Sequence, residues 1–151
     1  MNRDPVRYRH TQTGWWLRFC LYAIALLAFG PGIVASRPGD WTALFPFVGL
    51  ALAMIFATLF SMLSVEVTDA EVRWYYGAGW PLWDVSRLLL ESAESADIDY
   101  RLGIWWRTPR GVAYQVATGE AVALATDETE YLISTDDSVA LLRALGAMEP
   151  A

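Results

Sequence analysis

From Phe19 to Ser36 the chain runs eighteen residues without a charge, and from Trp41 to Ser64 it runs another twenty-four. At about 1.5 Å per helical residue these stretches reach about 27 and 36 Å, against a bilayer hydrocarbon core of about 30 Å. The pattern predicts two membrane-spanning helices, about 16–36 and 41–63. Between them "RPGD", Arg37 to Asp40, combines a Pro-Gly turn with two charges and suits a tight crossing. Residues 15–63 therefore read as a two-helix transmembrane hairpin, with 1–14 as a polar N-terminal tail. Gly30-Pro31-Gly32 predicts bending or fraying near the end of the first span. A secretory signal over 1–36, ending in the small residues Val34 to Ser36, fits less well. Its apolar run is long for a signal, and cleavage would leave the second span behind.

After Leu63 the continuous apolar runs give way to short alternating ones bounded by turn residues, which is the pattern of strands. Seven are predicted: Ser64–Thr68, Glu71–Tyr76, Ser92–Asp97, Ile104–Arg107, Val112–Ala117, Glu120–Ala125 and Glu130–Ser134. The turns fall at "DA" from 69, "GAG" from 77, "TPRG" from 108, "TG" from 118 and "DE" from 127. In "TDDSVALLRALG", Thr135 or Asp136 can cap a helix whose apolar face is Val139, Leu141, Leu142 and Leu145 and which ends at Gly146. Antiparallel strands leave two edges and an open end, and a terminal helix across that opening would bury the core. The domain is placed at 64–147, with 148–151 as a tail.

Charge divides along the chain. Residues 1–18 carry a net +3, residues 19–63 balance, and residues 64–151 carry −9, within a total of −6. The first eighteen residues carry Arg3, Arg7, Arg9 and Arg18, against Arg37 alone in the turn, so both termini and the β domain are expected in the cytoplasm. Trp15, Trp16, Arg18 and Trp41 fall at the expected membrane boundaries, where an indole can keep one apolar face and a polar N–H. An acidic body is repelled by DNA, by RNA and by an anionic inner leaflet, so broad electrostatic binding to any of them is disfavoured. Nucleic acid is not an expected partner, and the bilayer is one through the apolar spans.

The chemistry is sparse. Cys20 is the one cysteine, which excludes an intrachain disulfide and any C-x-x-C site; it suits apolar packing. His10 is the one histidine and lies in the tail, so no Ser/His pair or His-based metal site can be built within one chain. Asp97 with Asp99 reads as an exposed strand face, and Asp136-Asp137 as carboxylates favoured at a helix start. "GAG" lacks the lysine and helix of a phosphate loop. No catalytic residue, metal site or cofactor is expected. The spans hold no deep charge, which argues against an ion path, while "GLALA" from Gly49 suits close helix packing.

One stretch stands out. In "GIWWRTPRGVAYQV", from Gly103, alternation sends Trp105 and Trp106 to opposite faces, one into the core and one outside beside Arg107 and Arg110, around a Pro109–Gly111 corner. Because Ser64 follows the second span without a linker, the domain must sit against the headgroups. Trp80, Pro81 and Trp83, in the expected loop after the second strand, are candidate surface contacts with those four residues. Core packing and turn chemistry account for these tryptophans better than a specific lipid site does.

Across nearly the whole chain, "YRHTQTG" (8–14), "LSVEVTDAEVRWYYGAGW" (63–80), "LGIWWRTPRGVAYQV" (102–116), "EAVAL" (120–124) and "ISTDDSVALLRAL" (133–145) resemble the bacterial PH-like domain family, in its small form behind two membrane spans. The resemblance implies a membrane-anchored α+β chain: a transmembrane hairpin, then a seven-stranded PH-like antiparallel β-barrel or sandwich with a C-terminal capping helix, at the bacterial inner membrane. It implies no reaction. The expected function is a membrane-tethered, non-enzymatic interaction or scaffold module with a protein partner or a second copy. The alternative is lipid-headgroup or membrane-surface sensing through the Trp/Arg hairpin at 105–110.

Overall fold

The two apolar segments pack side by side as helices. The computed structural model describes residues 5–37, 39, 41–99 and 105–146. Helix α1 spans Trp15–Ala35 and α2 spans Leu44–Phe60, entered through a 3-10 turn at Trp41–Ala43. Close approach is local to glycines: a Cβ on Gly32 would stand 3.1 Å from Pro46, and one on Gly49 would run into the Phe29 ring. Nearer the other end, the Tyr22 and Thr58 hydroxyls meet at 2.6 Å. Packing of this kind carries α1 unbroken past Pro31 to Ala35, so the fraying expected at Gly30-Pro31-Gly32 does not occur. Pro38 and Asp40 of the connecting turn lie outside the described residues.

The second helix is shorter than its apolar run. At 17 residues it covers about 26 Å, against about 32 Å for the 21 residues of α1. One helix, α1, is thus long and apolar enough by itself to cross a membrane. The expected span to residue 63 stops at Phe60 because the backbone beyond it is claimed by strand pairing. Gly14 N–H donates to the Ser61 carbonyl at 2.8 Å, and from Met62 the chain is extended.

That pairing corrects the expected polar tail. Strand β1, Tyr8–Thr13, lies antiparallel to β2, Met62–Val67, in register from Tyr8↔Val67 to Thr13↔Met62. The helical hairpin brings Gly14 and Ser61 together, and the flanking segments have unpaired backbone groups that each can satisfy for the other. Strands β3, Glu71–Tyr76, and β4, Leu82–Ser86, complete a sheet ordered β1-β2-β3-β4. The stretch holding Trp83 is therefore a strand and not a loop.

A second sheet contains β5 (Ser92–Ile98), β6 (Trp105–Arg107), β7 (Gly111–Tyr114), β8 (Gly119–Ala125) and β9 (Glu130–Ser134), in the order β5-β8-β9-β7-β6. Its β7–β9 pair is parallel. The chain is α+β, with three helices and two sheets. The described strands number nine in sheets of four and five, not seven, and are not all antiparallel. The expected first residue of β6, Ile104, and the chain end from 147 lie outside the described residues.

Between the sheets, alternate residues of β2 and β3 (Leu63, Val65 and Val67; Val72, Trp74 and Tyr76) meet Val122 and Leu124 of β8, Ile133 of β9 and Tyr114 of β7. Helix α3, Ser138–Leu145, closes this core with Leu141, fully buried. Its inward face is Ser138, Leu141, Leu142 and Leu145, at i, i+3, i+4 and i+7. Val139 is 50% exposed, against expectation, because it falls off that stripe. The helix ends as read, at a left-handed Gly146, and Arg87 donates to the Leu145 carbonyl at 2.9 Å.

Candidate functional site

The outer surface of the helical hairpin is apolar and open. Phe19, Ile24, Leu27 and Val34 of α1 and Phe45, Leu52, Ile55 and Phe56 of α2 are all exposed. A water-soluble domain does not leave such a surface bare. Trp15 and Trp16 at the start of α1 and Trp41 before α2 are exposed as well, at opposite ends of the hairpin.

The joint between hairpin and sheets is tightly built. Gly14 is buried, and a Cβ there would collide with the carbonyl of Val116, just beyond β7. Ser61, fully buried, donates its hydroxyl to the Thr58 carbonyl at 2.9 Å and accepts from Arg18 Nε at 2.8 Å. The Arg18 guanidinium also lies over the Trp15 ring, 4.9 Å from its centre. Gly77 packs against Leu59, so the turn carrying Trp80 stands beside the last turn of α2. Trp80 is 75% exposed and joins Trp15 and Trp16 at one level of the molecule.

Trp83 does not belong to that group. It is half-buried on β4 and packs on Tyr114, with ring centres 4.7 Å apart, and edge-on to Tyr76. The Trp/Arg hairpin also differs from expectation. Trp105 and Trp106 do take opposite faces, but neither is in the core: Trp105 is 56% exposed and Trp106 half-buried. The cause is position, since β6 is the outermost strand of its sheet and contributes no residue to the core between the sheets. Arg107 and Arg110 are exposed. Arg107 pairs with Val112 and Trp105 with Tyr114, so the arginines lie at the end of the hairpin away from Val116 and the foot of α1. Thr108 and Gly111 exchange both backbone hydrogen bonds, and by alternation the N–H and C=O groups of Arg107 and Trp105 point outward from the sheet.

A polar seam that sequence reasoning missed joins β1 to the start of α3. Tyr8 donates to the Asp137 carboxylate at 3.2 Å, His10 Nε2 meets Asp136 at 2.5 Å, and the Gln12 amide donates to the Ser134 hydroxyl at 2.9 Å. His10 is thus a partner of Asp136 and not a solvated tail residue. On the other face of β1, Arg9 meets Glu66 at 3.1 Å and donates to the Tyr75 hydroxyl, which donates to Glu66 at 2.8 Å. The alternation of Tyr8, His10 and Gln12 against Arg9, Thr11 and Thr13 was the available sign. It is hard to read because the inward residues are polar, matched to a polar partner.

Several tyrosines here ionise less readily than usual. Burial, then the Asp137 carboxylate, raises the pKa of Tyr8; burial and Glu66 raise that of Tyr75; burial raises those of Tyr76 and Tyr114. An ordinary tyrosine titrates near ~10. The unfolded chain will therefore lose these protons first, so their contribution to stability is full below about pH 10 and is lost as pH rises toward the higher folded values. Phenolate absorbance of the folded chain should accordingly lag that of the urea-unfolded chain in an alkaline titration; coincident curves would contradict it.

Among the described residues, no three His, Cys, Asp or Glu side chains group closely enough to hold a metal ion. Asp97 and Asp99 are exposed on and just past β5. No protein-family model matches the chain, and no curated protein matches it.

Proposed function

We propose that the chain is a membrane-anchored binding module that works by association and not by chemistry. The observation that carries this reading is the exposed apolar surface of α1 and α2, joined without a linker to β1 and β2. In this reading both helices cross the bilayer, α2 together with its 3-10 turn, and the arginines ahead of α1 hold the sheets on the cytoplasmic side. Trp15, Trp16 and Trp80 mark one interface and Trp41 the other. Two sheets closed by a C-terminal helix are the feature shared with the PH-like family, and that kinship would place the chain at a bacterial inner membrane. The partner surface is the outer edge of β6, whose outward backbone groups and exposed Trp105 suit pairing with an extended segment of a protein or of a second copy.

The test uses the full chain in lipid vesicles. Alkaline carbonate should leave it in the membrane. Energy transfer between donor- and acceptor-labelled chains should exceed that of chance proximity and fall to chance in Arg107→Pro, which removes an outward N–H. Release by carbonate overturns the anchor, and transfer unchanged in the variant overturns the β6 edge. A second reading, headgroup sensing, rests on the exposure of Trp105, Arg107 and Arg110, and needs the sheets to tip toward the bilayer, since the arginines lie at the end of the hairpin away from the foot of α1. It predicts that Trp105 fluorescence responds to anionic lipid in a salt-sensitive way that Arg107→Ala/Arg110→Ala abolishes.

A further inference from the structure

Between α1 and α2 runs an apolar groove of about 900 Å³, bordered by Leu17, Cys20 and Ile24 on one side and Ala53, Ala57 and Phe60 on the other. This lies within the ~300–1,000 Å³ usual for sites that take a small molecule. Along α1 its lining runs from Leu17 to Phe29, about 18 Å of helix, which is close to the depth of one leaflet of a ~30 Å hydrocarbon core. The groove is therefore open at the level of the sheets and ends near mid-membrane.

Its open end carries a fixed cation. Arg18, next to Leu17 in the first turn of α1 and beside the groove, not part of its lining, is half-buried. Its Nε is tied to the Ser61 hydroxyl at 2.8 Å, and that hydroxyl is oriented by its own bond to Thr58. The Trp15 ring supports the guanidinium plane. Among the described residues its two terminal amino groups have no hydrogen-bond partner, and no carboxylate reaches it. By contrast Arg7, Arg9 and Arg73 are paired with Asp69, Glu66 and Glu71. Arg7 and Arg9 lie in the same stretch without Asp or Glu, residues 5–39, but strand pairing carries them to Asp69 and Glu66, whereas Arg18 stays on α1, which has no acidic residue. A guanidinium held on one edge, with its fork free at an interface, matches the bidentate geometry of a phosphate.

We infer that the foot of the hairpin binds one anionic phospholipid, its phosphate on Arg18 and an acyl chain in the groove between α1 and α2. This rests on the membrane-anchored reading and names the lipid that the anchor selects. The charge requirement and the leaflet depth together distinguish it from general solvation by lipid. A helix from a second copy inserted in the same sense would fill the groove but leave the cation unmatched, since neither α1 nor α2 carries a carboxylate.

The experiment is native mass spectrometry of the full chain ejected from bilayers of equal phosphatidylglycerol and phosphatidylcholine, after carbonate washing shows that the chain is embedded. One phosphatidylglycerol per chain should be retained. Arg18→Gln should lower its preference over phosphatidylcholine at least about tenfold, the loss of a charge-assisted contact, with Arg18→Lys retaining part of it. Ala53→Phe, which fills the groove and leaves Arg18 in place, should also displace the lipid. An embedded chain with no lipid preference, a preference unchanged in Arg18→Gln, or a lipid-free dimer would overturn the site while leaving the anchor standing. A chain released by carbonate would overturn the anchor itself.

Discussion

Trp74→Ala is expected to destabilise the β domain by about 3–5 kcal/mol, a large part of the ~5–15 kcal/mol by which a domain of ordinary size is folded. Trp74 is wholly buried at the centre of β3 and meets Tyr114 and Tyr131 of the opposite sheet, with ring centres 5.4 and 5.3 Å apart. Its removal leaves a void bounded by rigid rings from two strands, β7 and β9, which cannot collapse to fill it. A urea titration of the full chain in detergent, followed by near-ultraviolet circular dichroism, measures the loss as a fall in midpoint. Trp74→Phe, which keeps an aromatic surface between the two tyrosines, should lose distinctly less. Equal losses would show that ring packing does not hold the sheets together.

Gly14→Ala is expected to cost about 1–3 kcal/mol through overpacking, and to cost it at the joint between the hairpin and the sheets. The added methyl would meet the Val116 carbonyl, which is backbone and cannot swing away. Relief requires β1 or the end of β7 to move, and that strains the Gly14–Ser61 hydrogen bond and the pairing of Thr13 with Met62. Faster amide exchange confined to β1 and the first residues of β2 would locate the damage. Gly30→Ala is the control: nothing lies within 4 Å of the added carbon, and alanine is the better helix former by about 1 kcal/mol. If both variants behaved alike, the close approach at Gly14 would not be a structural constraint.

The two strands missing from the sequence reading show different limits. For β4, "LWDVS" has a clean period of two, with Trp83 and Val85 inward and Leu82 and Asp84 outward. The preceding Pro81 and the cluster of tryptophans drew it toward a loop. For β1 no apolar period exists, because Tyr8, His10 and Gln12 face Asp137, Asp136 and Ser134 across 122 residues or more of chain. A polar strand is legible only with its partner beside it. The candidate site divides in the same way. Trp15, Trp16, Trp41 and Trp80 are exposed, as their reading as surface residues expects, whereas Trp83 was drawn into the core by Tyr76 and Tyr114. The roles of Gly14, Ser61 and the unmatched Arg18 had no local sign.

Taken by itself, the amino-acid order determined the two apolar helices, most strand positions, the terminal helix and its glycine stop. Each depends on a periodicity or a terminator within a few residues. Tertiary structure alone decided where α2 ends, that the N-terminal segment is an edge strand, that β7 and β9 run parallel, and which arginines meet a carboxylate. These depend on which distant segments the hairpin and the sheet crossings bring together, and on backbone groups and charges being satisfied there. A local pattern holds no information about that.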